Sequence, residues 1–236
     1  MIVCEACARL LHECEFTKER DHRRCRICIA NNIEPSLPIL DLQQRIVLVR
    51  DMSALDSAIR DLCTEQIIGF DTETIPVFKS GRRQNPPALM QLATASTIYI
   101  IQFCHIPMHV CARPDGLFDT IFAPKRRGSL IVGVGVHDDV RDLRQYVSTV
   151  LSVENCIDIG VIARRNGLTH TGIKALAKQI LGFNIDKRKK LTLSNWAVRE
   201  LSAPLVHYAA MDAHIGREVF VNMNEQLGWI DLENLQ

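Results

Sequence analysis

A short apolar run that ends in two carboxylates constrains this chain more than any other feature of the sequence. Ile67-Ile68-Gly69-Phe70 is followed directly by Asp71-Thr72-Glu73. Such a run is typical of a buried strand, in which residues two apart point to the same face. Asp71 and Glu73 would then project together from the strand end, although the same tripeptide also occurs in solvated loops. Two carboxylates on one face of a strand end predict one half of a metal site.

The composition favours a globular chain that holds one domain of ordinary size and a small appendage. The chain has 236 residues, of which 47% are hydrophobic, and this is enough for a real core. It has no run of eighteen apolar residues, and its first residues lack the basic and apolar stretches of a secretory signal. We therefore expect an intracellular protein, nuclear or cytoplasmic, that has no membrane partner.

Five of the nine cysteines lie within the first 28 residues. Cys4-x2-Cys7 and Cys25-x2-Cys28 have the paired spacing with which four thiolates close around zinc, and in an intracellular chain this favours a metal over disulfides. A segment this short buries too little apolar surface to fold alone, so one structural Zn²⁺ would stabilise it. Reduced thiols without a metal are the alternative. Three residues between the pairs could replace a ligand: His12, Cys14 and His22.

The rest of the chain is predicted to be a linker, a larger domain and a short tail. Residues 34–44 contain two prolines and no helical or strand period, which is typical of a linker. We therefore divide the chain into a zinc-binding module at 1–33, this linker, a domain at 45–228 and a C-terminal tail at 229–236.

Hydrophobic periods beyond residue 44 predict alternating strands and helices. The predicted strands are 46–49, 67–74, 89–93, 98–101, 130–136 and 157–159. Strands 89–93 and 98–101 are joined by a short polar turn, so they predict an antiparallel pair in the same sheet as 67–74. A helix over 173–181 is expected to stop at Gly182.

The first and last helices of the domain have recognisable starts. Ser53 and Asp56 resemble a capping box, and Ser202 opens the last long helix. Within that last helix, Tyr208 and Asp212 are four residues apart and therefore lie on one face. Taken alone, the pair is a weak signal, because a core tyrosine and a solvated aspartate can have the same spacing.

Two adjacent aspartates open the helix that follows residue 136. The apolar stripe of this helix is expected at Val140, Leu143, Val147 and Leu151. Consecutive helical residues point about 100° apart, so Asp138 and Asp139 face different ways. Asp139 lies four residues before Leu143, at the edge of the stripe, whereas Asp138 lies on the more polar side. Aspartates in a first turn often only complement the helix dipole, so the pair alone does not establish a catalytic role.

Three segments of the chain together resemble the exonuclease motifs of the DEDD superfamily, in the tyrosine branch that includes RNase D and the Werner-type exonucleases. They are, in order, Phe70-Asp71-Thr72-Glu73, Val134-Gly135-Val136-His137-Asp138-Asp139-x3-Leu143 and Tyr208-x3-Asp212. The resemblance covers most of residues 45–228. It implies an α/β, ribonuclease H-like mixed sheet flanked by helices, and hydrolytic removal of nucleotides from a 3′ end.

The resemblance also implies a role for each site residue. Asp71, Glu73, Asp139 and Asp212 match the four carboxylates that hold two Mg²⁺ or Mn²⁺ ions, and Tyr208 matches the residue that orients the attacking water. Two hard cations about 3.5–4 Å apart can stabilise both the attacking and the leaving oxygen of a phosphodiester. Such cations prefer oxygen ligands, so carboxylates suit the task.

The main functional hypothesis is therefore a metal-dependent 3′–5′ exonuclease. The alternatives are a catalytically silent protein of the same fold that binds nucleic acid or acts as a scaffold, and an adaptor whose zinc module recruits a protein. The expected partner is nucleic acid, as a single strand or a 3′ end of DNA or RNA. Because the net charge is only +1, its binding would depend on local basic clusters. These clusters are Arg82-Arg83, Lys125-Arg126-Arg127, Arg164-Arg165 and Lys187-Arg188-Lys189-Lys190.

Overall fold

The computed structural model describes residues 2–3, 10–11, 37–77, 84–122, 129–185 and 189–227. The predicted zinc ligands lie outside these residues, as do the other potential ligands between them; they are Cys4, Cys7, Cys25, Cys28, His12, Cys14 and His22. Two of the basic clusters, Arg82-Arg83 and Lys125-Arg126-Arg127, also lie outside them. Near the start of the chain, β1 (Ile2–Val3) and β2 (Leu10–Leu11) pair antiparallel.

Within the described residues, a six-stranded mixed sheet forms the centre of the larger domain. Its strands are β3 (Arg45–Val49), β4 (Ile67–Thr74), β5 (Pro87–Ala93), β6 (Thr97–Gln102), β7 (Leu130–Gly133) and β8 (Cys156–Asp158). The order across the sheet is β3-β6-β5-β4-β7-β8. Strand β5 is antiparallel to β4 and β6, and the other neighbours are parallel. The predicted mixed sheet and its antiparallel pair are confirmed.

Helices flank this sheet. They are α1 (Met52–Leu62), α2 (Met108–Cys111), α3 (Leu117–Phe122), α4 (Val136–Arg144), α5 (Ile159–Arg165), α6 (Ile173–Leu176), α7 (Lys189–Thr192) and α8 (Ala203–Leu227). Helix α6 continues as a wider π-helical turn at Ala177–Leu181. This turn ends at Gly182, which has a left-handed backbone with φ of 72°. In the described part of the chain, no helix combines the length and apolarity that a membrane span requires.

Strand β4 separates two parts of the core. Phe70 points to the side of α1, α3 and α4, where its ring meets Phe122 edge to face with centroids 5.7 Å apart. Helix α8 covers the other side, where Ala213 packs with residues of β5 and β6. Since residues alternate between the two faces, Asp71 and Glu73 lie on the α8 side and Thr72 lies on the α4 side.

The predicted start of α1 was wrong. The N-cap is Asp51, whose side chain accepts a hydrogen bond of 2.9 Å from the backbone N–H of Ala54. Aspartate caps a helix as well as serine does, and here the extended backbone lies at Asp51. Ser53 and Asp56 are therefore inside the helix and do not form its cap.

Both predicted ends of α4 were also wrong. The preceding strand ends at Gly133 instead of continuing to Val136, because Gly135 adopts a left-handed conformation with φ of 76° and begins the helix. The helix then ends at Arg144. Val147 and Leu151 therefore lie beyond it, although Leu151 is still buried in the same core.

Residues 37–44, from the predicted linker, lie along the larger domain. Ile39 forms a parallel bridge with Asn184. The backbone N–H of Asn184 donates to Pro38 O at 2.8 Å, and the N–H of Leu40 donates to Asn184 O at 2.9 Å. This part of the chain is therefore anchored next to the turn that follows α6.

Candidate active site

Three of the predicted site carboxylates lie together where β4 meets α8. Asp71 and Glu73 come from β4, and Asp212 comes from α8; one oxygen from each lies within 4.8 Å of the others. Glu73 and Asp212 are each only 9% exposed. Three carboxylates this close repel one another unless a cation or a proton reduces their charge.

A close backbone contact places Asp212 beside Asp71. A Cβ built at Gly69 would lie 2.1 Å from the carbonyl oxygen of Ala213, so only glycine allows α8 to approach β4 this closely. Gly69 is two residues before Asp71 on the same face of the strand, and Ala213 directly follows Asp212. Helix α8 is also tied to the start of the strand, where Arg217 Nε donates to a backbone oxygen of β4.

Asp139, the fourth predicted carboxylate, lies apart from this group of three. It sits in the first turn of α4, and its Oδ1 accepts a hydrogen bond of 2.7 Å from Thr72 Oγ1. Burial raises the pKa of Asp139 to about 7; the hydrogen bond from Thr72 opposes the rise, and the nearby carboxylates of Asp142, Asp138 and Asp158 add to it. Without a bound cation, Asp139 is therefore partly protonated at neutral pH.

Asp138 lies at the surface of α4. Its side chain is 71% exposed and forms an ion pair of 2.8 Å with Arg141, one turn later on the same helix. Of the two adjacent aspartates, Asp139 is the one that contacts β4.

Asp158, to which the sequence analysis gave no role, fixes the start of α4. Its Oδ2 accepts a hydrogen bond of 3.2 Å from the backbone N–H of Gly135, the residue that begins α4. Its Oδ1 caps α5, accepting from Gly160 N at 2.9 Å and from Val161 N at 3.2 Å. One carboxylate therefore holds two helix starts in place. No sequence signal marked this role, because Asp158 was interpreted as part of a short strand.

Tyr208 lies one turn before Asp212 on α8. Its ring packs against Trp196, with centroids 5.7 Å apart, and its hydroxyl oxygen is 3.2 Å from Thr192 Oγ1. The residue is only 5% exposed. Helix α7, which carries Thr192, contains Lys189 and Lys190, the last two residues of a basic cluster.

A cavity of about 190 Å³ opens at the carboxylates. It is lined by Phe70, Asp71, Val134, Ile173 and Asp212. At roughly 30 Å³ per water molecule, it has room for several waters or for part of a small polar ligand. Asp71 and Asp212 therefore face a space large enough for water and not a packed core.

The donors present at this site fit a hard divalent cation. Mg²⁺ and Mn²⁺ prefer carboxylate and water oxygens. Asp71, Glu73 and Asp212 supply three carboxylates, two of which, Asp71 and Asp212, line a cavity large enough for water. Among the His, Cys, Asp and Glu side chains of the described residues, these three carboxylates are close enough together to hold a metal ion.

The sequence is similar to a group of known exonucleases. Human "Exonuclease 3′-5′ domain-containing protein 2" is 30% identical over 165 residues, which make up 66% of this chain and 25% of that protein. The mouse protein of the same name is 28% identical over 170 residues. The chain spans about a quarter of the length of these two relatives.

The fold is similar to solved exonuclease structures. The Aedes aegypti Nibbler EXO domain superposes with a TM-score of 0.66 at 21% identity, covering 83% of this chain and 97% of that one. Trypanosoma brucei RNase D in complex with RNA U12 has a TM-score of 0.64 at 15% identity, covering 81% and 65%. The family model described as "3′-5′ exonuclease" matches residues 46–228. This chain therefore belongs to the 3′-5′ exonuclease family.

Proposed function

We propose that this chain is an active, metal-dependent 3′–5′ exonuclease that hydrolyses phosphodiester bonds from the 3′ end of a nucleic acid. One observation carries the proposal: Asp71, Glu73 and Asp212 bring three carboxylates together, and two of them, Asp71 and Asp212, line an open cavity inside the region that matches the family model. A catalytically silent protein would not need so much negative charge in a half-buried position, where it costs free energy.

The site residues would divide the chemistry between them. Asp71, Glu73 and Asp212 would hold the metal, and Asp139 would complete the set for two Mg²⁺ or Mn²⁺ ions. When bound, two such ions supply charge stabilisation at the attacking and leaving oxygens. Asp139 can bind a metal ion only in its ionised form. Because its pKa is raised, it would have to lose its proton before it could act as a ligand.

Tyr208 would position the attacking water. Its ring packs against Trp196, and its hydroxyl contacts the side-chain hydroxyl of Thr192. A hydroxyl held in this way can accept from or donate to a water without large movements of α8. Its position one turn before Asp212 supports an assignment to the tyrosine branch of the DEDD superfamily.

The substrate we propose is a single-stranded or frayed 3′ end. The solved RNase D that this fold resembles has RNA bound, and the present chain carries positive charge at Arg164 and Arg165, both exposed at the end of α5. Discrimination between RNA and DNA depends on contacts to the 2′-hydroxyl. A test of the function therefore has to compare RNA and DNA substrates.

Purified full-length chain should be incubated with Mg²⁺ or Mn²⁺ and with matched DNA and RNA single strands, labelled at the 5′ end. We expect a ladder of products shortened from the 3′ end and no reaction in EDTA. Asp212→Asn is the matched variant and should abolish the ladder. Strands that are bound but stay intact would contradict the proposal and favour the silent binding protein.

A further inference from the structure

Gln91 is buried without any hydrogen bond from its side chain. It is 0% exposed. Of the side chains that the structure describes, it is the one whose nitrogen and oxygen are both buried and both without a partner. Buried amides are normally hydrogen-bonded, because an unmade bond leaves the cost of desolvation uncompensated. This amide therefore destabilises the fold as it stands.

The position of Gln91 connects it to the candidate site. It lies on β5 directly opposite Asp71 of β4. Residues opposite each other on antiparallel strands share a face, with Cβ atoms about 4.5–5.5 Å apart. The residues two before and two after Gln91, Leu89 and Ala93, pack with Tyr208 and other residues of α8. The amide is therefore enclosed beneath α8, next to the strand position that carries the first site carboxylate.

A second buried glutamine shows what a purely structural amide does in this sheet. Gln102 ends β6 and is also 0% exposed. Its Nε2 donates to the backbone oxygens of Val198 and Arg199, each at 3.3 Å, and its Oε1 accepts from Arg50 Nε. Gln102 thus anchors the loop before α8 with both of its polar atoms, whereas Gln91 anchors nothing.

We propose that Gln91 is a positioning residue for the metal-binding carboxylate of Asp71. The inference rests on the proposed function. A cation draws one oxygen of a carboxylate toward itself and fixes the direction of the other. The Nε2 of Gln91 would donate to that second oxygen. This hydrogen bond, which the amide lacks without metal, would form when metal binds, so it would contribute to metal affinity.

This role predicts opposite effects on stability and on metal binding. Gln91→Met keeps the length and approximate shape of the side chain but removes both polar atoms. In EDTA the variant should unfold at a temperature equal to or above that of the wild type, because no hydrogen bond is lost. Its Kd for Mn²⁺ should rise by roughly tenfold or more, the loss typical when a partner that orients a metal ligand is removed.

The experiment uses the full-length chain, with Gln102→Met as the matched control. Thermal unfolding is measured in EDTA, and Mn²⁺ binding is measured from the paramagnetic resonance signal of free Mn²⁺ during titration. Gln102→Met should lower the unfolding temperature, because its hydrogen bonds are lost, and should leave the Kd for Mn²⁺ at the wild-type value.

Several outcomes would overturn the inference. A Gln91→Met protein that fails to fold, or that loses stability as Gln102→Met does, would show a structural amide. Wild-type Mn²⁺ affinity in Gln91→Met would also overturn it, and if the wild type still degrades nucleic acid, the proposed function stands. A wild type that neither binds Mn²⁺ nor degrades nucleic acid would remove the proposed function and this inference together.

Discussion

Asp138 and Asp139 are neighbours in sequence but occupy different environments. Asp139 is hydrogen-bonded to Thr72 on β4, and burial raises its pKa to about 7. Asp138 is mostly exposed and pairs with Arg141. At the scale of single residues, the helix start therefore separates a buried carboxylate that contacts β4 from an exposed one that forms a surface ion pair.

We expect Asp139→Asn to reduce cleavage in Mg²⁺ to the level of the wild type in EDTA while the fold survives, because the amide cannot serve as a charged ligand. Asp138→Asn is the control and should keep substantial activity. It should lose at most roughly 0.3–1 kcal/mol of stability through its contact with the helix dipole. End-labelled digestion and thermal unfolding measure both. The reverse pattern would mean that the site carboxylate is Asp138 and not Asp139.

The raised pKa of Asp139 predicts how the stability of the metal-free protein depends on pH. In the folded chain this carboxyl holds its proton up to a pH of about 7, well above its ordinary pKa of 3.8. Its contribution to the free energy of unfolding is therefore complete below about pH 4 and is lost as the pH rises through 7. Unfolding in EDTA between pH 4 and 8 should show this loss in the wild type.

The Asp139→Asn variant should lack that part of the decrease in stability, because an amide does not titrate. Asp138→Asn should retain most of it, because burial, the largest cause of the raised pKa of Asp139, is unchanged. The groups that act on the pKa of Asp139 are the Thr72 hydroxyl and the carboxylates of Asp142, Asp138 and Asp158. Identical stability profiles for the wild type and Asp139→Asn would contradict the assignment.

We expect Tyr208→Phe to slow cleavage by roughly a hundredfold, the loss typical of one positioned hydrogen-bonding group. The Kd for Mn²⁺ should not change, because the ring still packs against Trp196. Single-turnover kinetics and Mn²⁺ titration separate the two effects. Wild-type turnover in this variant would refute the role. The control, Thr192→Val, removes only the contact to the hydroxyl and should retain more activity.

Part of the site could be predicted from single residues and part could not. The period of a strand places Asp71 and Glu73 on one face, and a four-residue spacing places Tyr208 and Asp212 on one face. The contact of Thr72 with Asp139 depends on how far α4 extends along β4, which no local pattern encodes. The sequence places Gln91 in an apolar strand but gives it no role. Its position opposite Asp71 depends on the register between β4 and β5, which the sequence pattern does not show.

At the scale of elements, the close approach of α8 to β4 determines whether the site exists. We expect Gly69→Ala to destabilise the protein by about 1–3 kcal/mol, the usual cost of forcing an extra methyl group into a packed interior. The obstacle is the backbone oxygen of Ala213, so the helix itself has to move, and Asp212 moves with it. The Kd for Mn²⁺ should therefore rise along with the loss of stability.

Gly172→Ala is the control for this change. Gly172 has a negative φ, and a Cβ there would meet nothing within 4 Å. Its unfolding temperature and Mn²⁺ affinity should stay near those of the wild type. Denaturant unfolding of both variants measures the difference. Equal stability of the two variants would show that α8 can shift without cost.

Element boundaries were the least predictable part of the fold. The strands and the long α8 follow from hydrophobic periods. The end of β7 depends on the left-handed Gly135, which the apolar residues on either side of it conceal. Helices α2 and α3 were not predicted, because the stretch they occupy is short and is interrupted by proline and glycine.

At the scale of the whole molecule, we propose that the first 33 residues form a separate zinc module. Elemental analysis of the full-length chain should find one zinc per chain, held by Cys4, Cys7, Cys25 and Cys28. Changing Cys25 and Cys28 to serine together should remove the zinc and leave Mn²⁺ binding at the carboxylates unchanged. Cys63→Ser, at an exposed cysteine of the larger domain, is the control and should keep the zinc. A wild type without stoichiometric zinc would refute the module.

The contact between α8 and β4 also determines when the candidate site is completed during synthesis of the chain. Asp71 and Glu73 leave the ribosome early, but Asp212 and Tyr208 are among the last residues of the domain to be made. Domains generally fold as units while the chain emerges from its N-terminal end. A nascent chain that ends before α8 has neither Tyr208 nor a complete carboxylate cluster. The proposed activity would therefore begin only after α8 has been made.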